Sequence, residues 1–185
     1  RTVEVEVTGP DVRKLIGIHR ARFLVTGAAP ISPELVMWYL SLGVPMAEVW
    51  GMTESCGAAT YTPATRIKPG MIGPACPYNE VRLDPATSEI LVRGRNVFMG
   101  YLNQPGKTAE VLKDGWLHTG DVGRVDADGY LYITDRLKDI IITAGGKNVT
   151  PSEIENQLKF SPYVTDAVVI GERRPYLTAL VMIDH

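Results

Sequence analysis

The chain of 185 residues lacks the features that mark three common classes of protein. No apolar run approaches the roughly 20 residues of a membrane-spanning helix, so we predict no transmembrane segment. The two cysteines, Cys56 and Cys76, form no CxxC pair and no metal-ligand spacing, which favours a reducing, cytoplasmic location over a disulfide scaffold. A net charge of −2 supplies no basic field, and we therefore predict no nucleic-acid partner.

The chain does contain enough apolar residues to form a core. Its 45% hydrophobic and 22% charged residues are typical of a folded protein, and its length suits one domain and part of a second. The sequence opens at Arg1 rather than at a methionine and ends at His185 just after a strand-like run. We therefore expect it to be a portion of a longer protein.

The first third of the chain alternates strand and helix patterns. Residues 2–8 alternate valine with polar residues, residues 11–18 suit a short helix, and residues 23–26 form an apolar run typical of a buried parallel strand. Ser32 and Pro33 predict the start of a helix of about ten residues that stops at Gly43. With a second strand over residues 47–50, this order predicts a right-handed βαβ unit, whose loops 27–30 and 51–55 lie where ligands bind in open sheets.

The middle of the chain is rich in proline and glycine and favours short strands. Residues 80–83 and 89–93 flank a turn, residues 96–101 suggest a further strand, and residues 108–112 suggest a short helix. Residues 122–125 and 130–134 are joined by the turn sequence DADG and predict a hairpin. These patterns predict a small antiparallel β-barrel or sheet.

Two polar segments have residues suited to phosphate and sugar chemistry. In WGMTES, Gly51 allows close backbone approach while Thr53 and Glu54 suit a phosphate and its magnesium ion, although a polar loop or helix cap has the same residues. Asp121 lies where a loop enters a strand, and its two carboxylate oxygens can accept both hydroxyls of a ribose diol. The alternative is that Asp121 simply forms a turn.

A charged connector over residues 135–139 separates the hairpin from a new apolar core. An isoleucine strand over residues 140–142 follows, then a turn at Gly145 and Gly146. Thr150, Pro151 and Glu153 predict a helix with an N-cap and a capping-box acid. Residues 164–170 and 176–183 resemble strands, and Arg173 and Arg174 between them indicate a charged hairpin turn more than a CoA-phosphate site.

Together these patterns predict an α/β fold in three parts. Residues 1–60 form a βαβ portion of a layered α/β domain, residues 61–136 form the small antiparallel β-barrel subdomain, and residues 137–185 begin a small α+β C-terminal domain.

Three motifs, WLHTGD, DRLKD and GGKNVTPSEIE, resemble the adenylate-forming (AMP-binding) acyl-CoA synthetase family in its fatty-acid CoA ligase branch. The resemblance covers nearly the whole chain and is least distinctive over the first twenty residues. It implies an acid–thiol ligase that uses a carboxylic acid, ATP with Mg²⁺, and coenzyme A. The carboxylate first attacks the α-phosphate of ATP to give acyl-AMP and pyrophosphate, and the thiol then displaces AMP.

The resemblance also implies roles for individual residues. Thr53 and Glu54 would act in catalysis, with Glu54 holding magnesium, and Lys138 would be the hinge about which the small domain rotates. Gly145 and Gly146 would line the pantetheine tunnel. Most family members carry tyrosine where this chain has Trp50, which puts the shape of the base pocket in doubt. The implied nucleotide-binding residues are Gly27, Ala28, Ala29, Pro30, Trp50, Gly51, Met52, Thr53, Asp121, Ile133 and Arg136.

Two parts of the family's machinery do not occur in this sequence: a Ser/Thr/Gly-rich phosphate loop with its lysine, and a terminal catalytic lysine. We therefore expect the chain alone not to catalyse adenylation. Two alternatives stay open, an adenylation domain that loads a carrier protein and a non-catalytic nucleotide-binding module. The sequence leaves acyl chain length, contact with a membrane surface and oligomeric state undetermined.

Overall fold

A computed structural model describes residues 8–28 and 31–183 of the chain. The predicted strand over residues 2–8 therefore falls almost wholly outside the described residues, as do Ala29 and Pro30. Among the described residues, no helix has the length and apolar content needed to cross a bilayer.

The elements, in chain order, are α1 (Gly9–Leu15), β1 (Leu24–Thr26), α2 (Pro33–Ser41), β2 (Met46–Met52), a 3₁₀ turn (Thr53–Ser55), β3 (Gly57–Tyr61), β4 (Asn79–Leu83), β5 (Glu89–Gly94), α3 (Pro105–Val111), β6 (Leu112–Lys113), β7 (Trp116–Val125), β8 (Leu131–Arg136), β9 (Ile141–Ile142), β10 (Asn148–Val149), α4 (Pro151–Lys159), β11 (Val164–Ile170) and β12 (Thr178–Ile183).

The predicted βαβ unit is confirmed by β1, α2 and β2. Strands β1 and β2 pair in parallel, and β3 pairs antiparallel with β2 on its other side. The helix begins as its sequence predicts, because the Ser32 hydroxyl accepts the N–H of Leu35 at 3.2 Å and Pro33 occupies the first helical turn. The chain leaves the helix through Gly43, whose φ of +69° favours glycine.

The middle of the chain forms a five-stranded antiparallel sheet in the order β4-β5-β7-β6, with β8 pairing β7. Apolar side chains from alternate positions pack beneath it, including Ile90, Val92, Leu117 and Leu131, none of them more than 2% exposed. The expectation of a barrel is corrected to an open sheet within the described residues. The long strand β7 pairs with β6 and then β8, so β8 lies beside β7 and does not pair with β4.

Residues 96–101 do not form the predicted strand. Their hydrogen bonds go instead to the 3₁₀ turn that follows β2: the Asn96 side-chain amide donates to the carbonyl oxygen of Ser55 at 2.7 Å, and the Phe98 N–H donates to that of Glu54 at 2.8 Å. Val97 and Phe98 of this segment pack against the sheet core, whereas Met99 is exposed. Helix α3 begins at Pro105, three residues before its predicted start.

The final part of the chain contains β9 to β12 and α4. Strands β11 and β12 form an antiparallel pair, and α4 packs against β11. The predicted capping box is absent, since Thr150 makes no side-chain cap bond and Glu153 accepts the Tyr132 hydroxyl at 3.3 Å instead. The predicted connector is also shorter than expected, because Asp135 is buried in β8 and only the residues after it are exposed.

Candidate nucleotide site

A cavity of about 690 Å³ opens at the carboxyl ends of β1 and β2. The loop after β1, the end of β2, Asp121 and β8 form one wall, while α4 forms the other. This is the edge at which open α/β sheets bind ligands. Eight of the residues implied by the resemblance line the cavity: Gly27, Ala28, Trp50, Gly51, Met52, Asp121, Ile133 and Arg136.

Asp121 is the centre of a hydrogen-bonded network on the cavity wall. Its Oδ2 accepts the indole N–H of Trp50 at 2.8 Å, and its Oδ1 lies 2.9 Å from Nε of Arg136. Trp50 and Asp121 are buried at 8% and 6% exposure, whereas the Arg136 side chain is about half exposed. Each carboxylate oxygen therefore has one protein donor and retains capacity to accept a second.

Burial raises the pKa of the Asp121 carboxyl, and the negative charges of Asp135 and Glu89 act in the same direction. The Trp50 hydrogen bond and the Arg136 charge oppose this effect and favour the ionised form. Arg136 is thus an electrostatic partner of Asp121 as well as a lining residue of the cavity.

A second carboxyl group in the cavity wall is Glu48. It is 7% exposed, and burial raises its pKa to about 7, partly offset by the Gly70 N–H that donates to its Oε1 at 2.9 Å. Sequence analysis missed this residue. The available signal was a glutamate in the middle of an otherwise apolar strand, where an unpaired charge is costly.

Two glycines bring backbone close together beside the cavity. A Cβ on Gly51 would lie 1.9 Å from the carbonyl oxygen of Gly57, and one on Gly27 would lie 2.8 Å from that of Val49. Any larger residue would push β2 away from β3 or from the loop after β1. The backbone that comes close to Gly51 is therefore that of the neighbouring strand β3.

Thr53 and Glu54 lie in the 3₁₀ turn and do not line the cavity. The Glu54 carboxylate accepts the Tyr101 hydroxyl at 2.7 Å, and this bond raises the pKa of Tyr101. Sequence analysis missed Tyr101 because it lies in the segment predicted as a strand. No group of three or more potential metal ligands occurs among residues 8–28 and 31–183. A single carboxylate still fits Mg²⁺, which usually keeps several waters and takes further ligands from substrate phosphates.

Lys138, Gly145 and Gly146 lie apart from the cavity lining and are exposed. Lys138 follows Leu137, whose N–H donates to the carbonyl oxygen of Gly120 at 2.7 Å. The glycine turn is closed by a 2.9 Å bond from the Gly146 N–H to Thr143, and Gly146 has a φ of +75°. The structure therefore gathers eight of the implied nucleotide residues at the cavity but does not bring Thr53 or the implied hinge and pantetheine residues to it.

Comparison with known proteins shows the family of the chain. Residues 11–102 match the family model described as AMP-binding enzyme, and residues 138–185 match the model of the AMP-binding enzyme C-terminal domain. The chain belongs to the adenylate-forming (AMP-binding) acyl-CoA synthetase family.

Its curated relatives include fatty-acid CoA ligases. The chain is 43% identical over 177 residues to a long-chain-fatty-acid–CoA ligase of Gallus gallus, a match that covers 92% of the chain and 23% of the relative. It is 42% identical over 163 residues to one of Mycobacterium bovis, with 88% and 27% covered. The chain thus spans about a quarter of the length of these relatives.

Solved structures give the same family assignment. The o-succinylbenzoate CoA synthetase MenE of Bacillus subtilis, in complex with its acyl-adenylate intermediate, superposes with a TM-score of 0.84 at 27% identity, over 97% of this chain and 41% of that one. ATP-bound MatB of Rhodopseudomonas palustris superposes with a TM-score of 0.76 at 37% identity, over 88% and 35%.

Proposed function

We propose that this chain supplies the adenosine-binding part of an AMP-forming acyl-CoA ligase that acts on a fatty acid. The observation that carries the proposal is the network of buried Trp50 and Asp121 with half-exposed Arg136, on a cavity at the carboxyl ends of parallel strands. Relatives that are long-chain-fatty-acid–CoA ligases, and structural neighbours solved with ATP or an acyl-adenylate, support the same function.

In this proposal Asp121 accepts the two ribose hydroxyls with the lone pairs that its protein donors leave available. Trp50 and Arg136 hold the carboxylate in place before the nucleotide arrives, so little ordering is needed on binding. The apolar face of the Trp50 ring offers a surface for the base, and Ile133 of β8 limits the width of the pocket.

The loop after β1, formed by residues 27–30, completes the base pocket in the same proposal. At the end of β2, Thr53 contacts phosphate and Glu54 supplies a carboxylate ligand for Mg²⁺, which offsets phosphate charge. Glu54 would exchange its Tyr101 partner for the ion or share its second oxygen with it.

The reaction that this site would serve has two steps. The fatty-acid carboxylate attacks the α-phosphorus, the bond to pyrophosphate breaks, and acyl-AMP forms. The thiol sulfur of coenzyme A then attacks the acyl carbonyl carbon, loses its proton, and displaces AMP to leave the thioester. Stabilisation of the phosphate charge by cations lowers the first barrier.

We also propose that the chain is divided at residues 60 and 136, with Lys138 as the hinge of a final unit whose Gly145 and Gly146 meet the pantetheine arm. Two exposed glycines without neighbours at their Cβ positions leave room for a narrow thiol arm. A cytoplasmic location fits the two free cysteines.

The substitution Asp121→Asn tests the nucleotide assignment. An amide offers one acceptor where the diol needs two, so we expect AMP binding, measured by calorimetry, to weaken by about 1.5–3 kcal/mol. The matched control is Glu80→Gln, which changes an exposed carboxylate that pairs with Arg93 on the outer face of the sheet. An AMP affinity unchanged in Asp121→Asn, with the fold intact, would rule out the assignment.

The identity of the thiol acceptor needs a separate assay. In a full-length protein that contains this chain, thioester formation should occur with free coenzyme A and not with a carrier protein as sole acceptor. The opposite preference would replace the ligase by an adenylation domain that loads a carrier protein.

A further inference from the structure

Strand β7 contains a bulge immediately before Asp121. Leu91 of β5 pairs with His118, and Glu89 pairs with Val122, so one residue of β5 lies opposite three residues of β7, numbered 119–121. Bulges of this kind re-aim side chains and are frequent next to functional sites. The geometry of this bulge therefore determines where the Asp121 carboxylate lies in the cavity wall.

Glu89 holds the bulge from the outer face of the sheet. Its Oε1 accepts the N–H of Gly120 at 2.8 Å, and its Oε2 lies 2.8 Å from Nδ1 of His118. Glu89 is 8% exposed, and His118 covers it from the solvent side with a side chain that is 23% exposed. A buried carboxylate is costly unless its oxygens are paired, and here both have a partner.

The inner face of the bulge is also tied down. The Thr119 hydroxyl donates to the carbonyl oxygen of Ile90 at 2.7 Å and accepts the N–H of Asp121 at 3.1 Å. Gly120 has a φ of +74°, which allows the chain to turn between these two sets of bonds. A continuous set of bonds therefore runs from Glu89 through the bulge to Asp121 and on to Trp50.

We propose that Glu89, oriented by His118, is a positioning residue that fixes the Asp121 carboxylate for its ligand. The proposal rests on the proposed function, since it assumes that Asp121 contacts the nucleotide. Glu89 itself does not line the cavity, so it acts only through the bulge. Binding groups held in place by a supporting hydrogen bond need less ordering when the ligand arrives.

AMP affinity of the protein, measured by calorimetry, provides the main test. Glu89→Ala removes the acceptor for Gly120, and we expect AMP affinity to fall about tenfold, the size of one hydrogen bond to a charged group. Glu89→Gln keeps an acceptor oxygen for Gly120 and an amide that can bond to His118, so it should restore affinity to within about twofold of the original. Glu80→Ala is the matched control and should leave AMP affinity unchanged.

A double-substitution cycle separates positioning from a general effect on the fold. In a protein that already carries Asp121→Asn, adding Glu89→Ala should cost little further AMP affinity, because the residue through which Glu89 acts is already altered. An equal loss in both backgrounds would overturn the proposal, as would an unchanged affinity in Glu89→Ala. If Glu89→Ala does not fold, His118→Ala is used, with an expected loss of about threefold; an unchanged affinity there contradicts the proposal.

A readout without nucleotide distinguishes failure of this proposal from failure of the proposed function. The indole N–H of Trp50 donates to Asp121, so its proton resonance reports where the carboxylate lies. The resonance should shift in Glu89→Ala and stay in place in Glu80→Ala and Glu89→Gln. A shift combined with no effect of Asp121→Asn on AMP affinity would reject the nucleotide assignment and keep the positioning role. An unmoved resonance in Glu89→Ala would reject the positioning role itself.

Discussion

The five-stranded sheet and the final unit of the chain are stabilised to different extents. Ile90, Val92 and Leu117 in the sheet are at most 1% exposed, whereas all six residues of β12 are exposed. Burial of apolar surface contributes most of the favourable free energy of folding. The sheet therefore has a true core, whereas α4 packs against β11 and leaves β12 exposed on both faces.

One wall of the cavity is formed by β2, β7 and β8, and the other by α4 of the final unit. Asp121, Trp50 and Ile133 belong to the strands, but α4 is attached to β8 by polar contacts: Ser152 to Asp135 and Thr134 at 3.4 Å each, and Tyr132 to Glu153 at 3.3 Å. Hydrogen bonds of this length are individually weak. The difference indicates a fixed wall, formed by the strands and holding Asp121, and a second wall, α4, that can separate from it at small cost.

The largest predicted effect comes from shortening a side chain in the sheet core. Leu117→Ala removes a 1% exposed side chain that packs among Ile90, Val92 and Leu131. We expect the free energy of unfolding to fall by about 2–5 kcal/mol, as for other buried leucines. Denaturant unfolding measures the change. A loss below about 1 kcal/mol would mean that the sheet is no better packed than the final unit.

The next prediction concerns the buried acid of the fixed wall. The pKa of Glu48 is raised from an ordinary 4.5 to about 7, so the folded protein binds this proton more tightly than the unfolded chain does. Its contribution is present below pH 4.5 and is lost as the pH rises to about 7, with a total of up to about 3 kcal/mol. Glu48→Gln keeps an acceptor for Gly70 and should remove this part of the pH dependence. The free energy of unfolding is measured at pH 5 and pH 8 for the original protein and for Glu48→Gln. The same difference between the two pH values in both proteins would contradict the prediction.

A third prediction asks whether the two walls move relative to each other about Lys138. Lys138→Pro fixes φ in the connector and should trap one arrangement of the final unit. In a full-length protein that contains this chain, adenylation measured by pyrophosphate exchange and thioester formation measured from supplied acyl-AMP should then differ in their losses by about tenfold. The matched control is Lys138→Ala, which removes the same side chain and leaves φ free. A proline at Lys147 would not serve as a control, because it would also remove the hydrogen bond from the Lys147 N–H to the Thr143 hydroxyl. Equal losses in the two half-reactions of Lys138→Pro would remove the support for a hinge.

The smallest predicted effect is the counterpart of the first. Leu180→Ala in β12 makes the same chemical change as Leu117→Ala, but at a side chain that is 66% exposed. We expect the free energy of unfolding to change by no more than about 0.5 kcal/mol. A large loss would show that this surface is buried in solution.

The sequence predicted those parts of the fold that depend on local chemistry. Ser32, Pro33 and Gly43 define α2 through contacts within a few residues, and the turn sequence of residues 126–129 defines the β7–β8 hairpin. Motif resemblance also indicated Asp121 and Arg136, and the structure places both on the cavity wall. Their roles in binding a nucleotide remain a proposal.

The sequence could not predict contacts that depend on long-range register. The Trp50–Asp121 bond joins residues 71 positions apart, and the Tyr101–Glu54 bond spans 47. The apolar residues of segment 96–101 are typical of a strand. Its backbone nevertheless forms a hydrogen bond to the turn after β2, which is distant in sequence and lies close to it only in the folded chain. Such pairings become visible only once the strands are aligned.

The bulge in β7, which places two more residues on β7 than on β5, limits how far the length of this segment can vary among related sequences. Side chains of a strand alternate between faces, so a one-residue deletion or insertion between His118 and Val122 must either change the bulge or shift the following hairpin by one register position. A shift would move the Val122 side chain to the opposite face of the sheet and separate Asp121 from Trp50. We therefore expect this glycine-containing segment, unlike most turns, to have a constant length in every functional relative, with insertions confined to the turn at residues 126–129.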